Sequence, residues 1–108
     1  MPSEDKKKSA HRALVERVLS GKGSASPEER ARAFHNAGVP LSLHALINKV
    51  AANPTQVTDA DFAAATAAGF SEDQLFELVI SAAVGRSARL YDTGLAALTE
   101  AIGLEETE

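Results

Sequence analysis

The stretch Ser71-Glu72-Asp73-Gln74-Leu75-Phe76-Glu77-Leu78-Val79-Ile80-Ser81-Ala82-Ala83-Val84 decides the fold. Ser71 and Gln74 stand at the spacing of a capping box, in which the serine hydroxyl takes one orphan amide and the glutamine side chain reaches back for another. From Leu75 to Val84 only Glu77 and Ser81 are polar, so the helix that starts here is apolar on nearly every side. Such a helix belongs in the middle of a bundle or against another subunit. Tyr91, Leu95, Leu98 and Ile102 then carry one apolar face onward at helical spacing.

Working back from Ser71, Gly69 closes a short Ala-rich helix whose start is marked by Thr58-Asp59-Ala60-Asp61. Asn53-Pro54 ends the helix before it, because a residue preceding proline is pushed out of the helical region. That helix opens at Pro40 and shows the face Leu43, Leu46, Ile47 and Val50. Ser26-Pro27-Glu28-Glu29 is a third start, with a capping serine, proline at the first helical position and a glutamate to complete the box. It carries Ala33, Phe34 and Ala37 and is expected to stop at Gly38. From Ala10 a first helix shows Leu14, Val15, Val18 and Leu19 and ends at Gly21. No run alternates long enough for a strand. The expectation is all-α, a single-domain bundle of five or six helices over residues 10–104, with a flexible tail at 1–9 and an acidic one at 105–108. Gly85 implies either close approach by a neighbouring backbone or a bend, and both remain open at this point.

The 108 residues include no cysteine, which excludes a disulfide scaffold, a thiol nucleophile and a zinc–thiolate site. The net charge of −4 is unevenly spread. Residues 1–32 hold 8 Lys/Arg against 5 Asp/Glu, and residues 33–108 hold 3 against 10. So acidic a body repels a phosphate backbone, and no nucleic-acid partner is expected. The run Lys6-Lys7-Lys8 reads as a solvated segment, or else as an arm that docks on a protein partner. No stretch reaches the roughly 20 apolar residues of a membrane span, and a cytoplasmic location is expected by default. His11, His35 and His44 make no helical metal pair, and no phosphate loop or dinucleotide fingerprint is present, so neither metal nor cofactor is expected.

Four side chains are candidates for chemistry. Glu77 is the single charge in its apolar segment and would suit a general acid or base if desolvated, or else belongs to one wet stripe with Asp73 and Ser81. His44 lies beside Leu43 and Leu46, where it would reach a pocket or simply sit on the helix surface. Arg86 and Arg89, with Asp92, would clamp an anionic ligand such as a small carboxylate or form ordinary surface ion pairs. His35 suits the negative end of its helix.

The segments Val57-Thr58-Asp59-Ala60-Asp61-Phe62 and Ala67-Ala68-Gly69-Phe70-Ser71-Glu72-Asp73-Gln74-Leu75 resemble the carboxymuconolactone decarboxylase and alkyl hydroperoxidase D-like family. In that family a helix ends in an Ala-Gly-x-(Ser/Thr)-x-(Asp/Glu)-(Glu/Gln)-(Leu/Ile) junction and an apolar helix follows; the likeness spans roughly residues 40–102. The resemblance implies an alkyl hydroperoxidase D-like bundle that self-associates into trimers or hexamers. The family's redox members carry a Glu and a Cys-x-x-Cys-x-x-x-His motif. Aligned on Gly69, these fall near Ser42, Pro54, Val57 and Asp61, so every one is replaced. Thiol peroxidase activity is therefore excluded. What remains is a non-redox homo-oligomeric binding or structural module, with a decarboxylase-type enzyme using Glu77 or His44 and Arg86 or Arg89 as the alternative.

Overall fold

Five α-helices make up the chain in the computed structural model, which describes residues 2–106, with side chains over 6–102. They are α1 (Pro2–Ser20), α2 (Pro27–His35), α3 (His44–Ala52), α4 (Asp59–Ala67) and α5 (Glu72–Glu106). Short 3-10 turns at Leu41–Leu43 and Pro54–Gln56 lead into α3 and out of it. Among the described residues there is no strand, and the fold is the all-α bundle expected.

α5 has 35 residues, which at about 1.5 Å of rise each is roughly 52 Å of helix. That is most of the molecule's 59 Å length, and α1, α2, α3 and α4 all pack along it. The main core lies between α3, α4 and the first half of α5: Leu46 and Ile47 meet Leu78, with Leu43, Val50 and Leu75 around them. Fully burying one such side chain is worth about 1.5–3 kcal/mol. A second cluster, Val18, Phe34 and Ala88, joins α1, the end of α2 and the middle of α5.

The expected starts at Ser26, Thr58 and Ser71 form by the chemistry that announces them, whereas α3 begins at His44, after a 3-10 turn, rather than at Pro40. Ser26 Oγ accepts from the Glu29 amide at 3.1 Å while Glu29 Oε1 accepts from the Ser26 amide at 3.0 Å. Ser71 and Gln74 make the same exchange at 3.1 and 2.9 Å. At α4, Asp61 Oδ2 accepts from both the amide (2.8 Å) and the hydroxyl (3.1 Å) of Thr58. Gly69, at φ +106°, takes the left-handed turn between α4 and α5 that a side chain would oppose.

The structure departs from the sequence expectations at helix ends. α1 begins at Pro2 rather than Ala10, so segment 1–9, expected as a flexible tail, is helical from Pro2 onward. Pro2 suits a first helical position. α2 stops at His35, before Gly38, because Asn36 adopts φ 50° and turns the chain early; asparagine tolerates that region better than most residues. α5 reaches Glu106, into the stretch expected as an acidic tail, and residues 107 and 108 lie outside the described residues. It also runs unbroken through Gly85. A Cβ there would collide with the Phe34 carbonyl oxygen and lie 2.7 Å from its carbon, so of the two readings of Gly85 it is close approach that holds.

Candidate functional site

Three charged side chains are engaged at or beside helix ends. Arg89 Nη1 donates to the Phe34 carbonyl at 2.6 Å, in the last turn of α2. Arg30 Nη1 donates to the Val18 carbonyl at 3.0 Å, in the last turn of α1. The last carbonyls of a helix have no partner within it and carry its negative pole, so a guanidinium is a suitable cap for both. Arg30 is only 5% exposed and its Nε has no partner among the described residues. Glu77 works at the opposite pole. Its two carboxylate oxygens accept from the Ser24 and Ala25 amides at 2.9 and 2.8 Å, just ahead of the α2 start. A Cβ at Gly23 would overlap that carboxylate, which places the α1–α2 loop hard against α5.

The expected wet stripe Asp73–Glu77–Ser81 does not form, since Ser81 is buried and its hydroxyl returns to the Glu77 carbonyl at 2.8 Å. His44 opens α3 and is exposed, with Nε2 2.7 Å from the Val39 carbonyl; the ring nitrogen donates there. Arg86 is half-buried beside a small hollow of about 250 Å³ that includes Val50, Pro54 and Leu90. Glu77, Arg86 and Arg89 each border a different cleft and His44 borders none of those described, so these four side chains do not converge. Neither Arg86 nor Arg89 pairs with Asp92; among the described residues the one ion pair is Lys49–Asp61 at 2.9 Å. Asp61, which the resemblance aligns with a histidine, is buried, and its carboxyl is held below the usual range by the Thr58 amide first and by Lys49 second. Among the described residues no group of His, Asp and Glu side chains is arranged to hold a metal, and no helix is long and apolar enough to cross a membrane.

Two surface features stand out instead. One cleft, about 680 Å³, runs between α1 and α5 and is also lined by Phe34 and His35 of α2. Lys8, His11, Arg12, Val15 and Leu19 reach it from α1 at spacings of three, one, three and four, one helical face. Ala88, Tyr91, Asp92 and Leu95 answer from α5. The His11 and Tyr91 rings stack across it with centroids 4.4 Å apart. In the sequence Tyr91 and Leu95 belong to one apolar face, while no motif marks His11 or Arg12. Their joint placement depends on which face of α1 meets α5, which no single helix reveals.

The second feature is apolar. Phe76 is 67% exposed and forms a ridge between two grooves. One groove, about 350 Å³, is bounded by Phe62, Leu75 and Val79; the other, about 560 Å³, by Leu14, Val18 and Ile80. Phe62, Ile80 and Leu14 are themselves exposed. Compared with known proteins, the chain matches no family model, no curated protein and no solved structure.

Proposed function

We propose that the protein is a non-redox, alkyl hydroperoxidase D-like helical module that acts as a homo-oligomer, in a binding or structural role. The observation that carries this reading is the Phe76 ridge, a large aromatic side chain two-thirds exposed on the most apolar segment of α5, between a groove bounded by Phe62, Leu75 and Val79 and one in which Leu14, Val18 and Ile80 stand beside Arg17, Lys22 and Glu77. Exposed apolar side chains gathered like this, with Glu72 and Arg17 beside them, support an association site. In a symmetric pairing the ridge of one copy fills the groove of the next, so one sequence supplies both halves of the contact. The junction from α4 through Gly69 to the Ser71–Gln74 cap and then α5 supports the family assignment. With no cysteine in the chain, that scaffold would work without a thiol. A decarboxylase-type reaction on a small carboxylate has less behind it. It would require His44 or Glu77 to leave a backbone partner, and an arginine to join them from another cleft.

Light scattering at micromolar concentration tests the proposal. The wild type should form a defined oligomer, with trimer and hexamer the sizes the resemblance implies. Phe76→Glu should shift it to monomer while leaving the helical circular-dichroism signal intact, since an exposed side chain contributes little to the core. A wild type that is strictly monomeric would refute the reading.

A further inference from the structure

The α1–α5 cleft is distinct from the Phe76 ridge, and its chemistry points to a ligand rather than to a second copy. Its size falls within the roughly 300–1,000 Å³ of small-molecule sites, at about 680 Å³. Lys8, Arg12 and Arg89 bring three cations to it against the single carboxylate of Asp92. His11 and His35 add ring nitrogens on the same walls, while Val15, Phe34 and Leu95 supply an apolar floor. Arg89 is held by its bond to the Phe34 carbonyl, yet its residue is exposed and that bond uses only Nη1. A guanidinium has five donors, so the others are pre-oriented at no further ordering cost.

The charge balance selects the ligand class. Three positive groups and one negative leave two positive charges, which a dianion neutralises and a monocarboxylate does not. The remaining body is acidic, with 3 Lys/Arg against 10 Asp/Glu over residues 33–108, so a long polyanion meets repulsion beyond the cleft. We propose that this cleft binds a small phosphate monoester carrying a compact apolar or aromatic group. The phosphate sits among Lys8, Arg12 and Arg89, and the apolar part lies on Val15, Phe34 and Leu95. This inference does not rest on self-association, because the ridge and the cleft use different stretches of α5, residues 72–81 and 88–95.

Phenyl phosphate is the probe, titrated into the isotope-labelled full-length chain and followed by amide chemical shifts. A ligand of this size in a site with two matched features is expected to bind with Kd of about 0.1–5 mM. Shifts should concentrate on residues of the cleft. Inorganic phosphate, which lacks the ring, and benzyl alcohol, which lacks the charge, should each bind about tenfold more weakly or worse; benzoate, a monoanion, should also be weaker. Arg12→Gln and Lys8→Gln, each at an exposed side chain, should each weaken phenyl phosphate by about tenfold. Lys22→Gln removes the same charge outside the cleft and should leave the affinity unchanged. Cleft amides that do not move, benzoate that binds as tightly as phenyl phosphate, or Lys22→Gln as damaging as Arg12→Gln would each overturn the assignment.

Discussion

Replacing Gly85 by alanine adds one methyl group to the middle of α5, and two opposing effects can be set against each other. In a helix interior alanine is favoured over glycine by about 1 kcal/mol. Against that, the new Cβ would strike the Phe34 carbonyl oxygen and lie 2.7 and 2.9 Å from the Phe34 carbonyl carbon and Cα. Carbon pairs settle at about 3.5–4.0 Å, so the end of α2 must retreat by about 1 Å. That end is backbone and cannot swing away as a side-chain tip would. It is also fixed by the buried Phe34 ring and by Arg89 on its carbonyl. Overpacking of this kind costs about 1–3 kcal/mol, and weakening a hydrogen bond to a charged group adds about 1.5–3 kcal/mol. The expected net effect of Gly85→Ala is a loss of about 1.5–5 kcal/mol. Gly94 in the same helix is the control, since a Cβ there meets nothing within 4 Å. Gly94→Ala should gain about 0.5–1 kcal/mol. Urea unfolding followed by the helical circular-dichroism signal measures both, at one protein concentration so that association does not enter the comparison. Gly85→Ala unfolding at or above the wild-type midpoint would refute the close-approach argument.

Other variants probe the remaining clasps. Glu77→Ala should cost about 1–3 kcal/mol and speed hydrogen exchange at the Ser24 and Ala25 amides, which lose their acceptors; unchanged exchange there would show that the loop is held by something else. Asp61 has a folded pKa below its ordinary value of 3.8, so its ionised form stabilises the fold. That contribution is complete above the unfolded Asp value of about 3.9 and is lost as pH falls through the lower folded pKa. Asp61→Asn should therefore be less stable at neutral pH and show a flatter stability profile below about pH 4, read from urea midpoints across that range. Ser71→Ala removes the cap on α5 and should lower stability by about 1 kcal/mol in the same assay.

Much of the fold was legible because its signals are local. A capping box acts within four residues, so Ser26, Thr58 and Ser71 announce α2, α4 and α5 with no knowledge of what packs where. Leu43, Leu46, Ile47 and Val50 share one helical face, and all four are buried. Helix ends were less legible, because they depend on tertiary partners. Nothing near Asn36 in the chain shows that Arg89, far along the sequence, will take the Phe34 carbonyl. In the apolar run Leu75–Val84, Leu75, Leu78 and Ala82 enter the core while Phe76 and Ile80 remain exposed, a division that depends on which helices pack against α5.

The candidate side chains read differently for the same reason. Glu77 and His44 stand out in the sequence as a charge and a ring in apolar company, and Arg89 as a candidate anion clamp, patterns that catalysis, binding and helix capping produce alike. A five-helix chain with short connections has many helix ends to satisfy and few loops to do it with. Its interior-facing charges are therefore drawn first to those ends: Arg30 to α1, Arg89 to α2, and Glu77 to the loop that enters α2. A capping arginine spends one N–H on a carbonyl and keeps the rest, so the fold that demands the cap also orients the spare donors. Arg30 is almost wholly buried and one donor is left without a partner. At Arg89 they open onto the cleft where α1 delivers Lys8 and Arg12. Capping has made the first a strut; in the second it has positioned a cation where an anion can reach it.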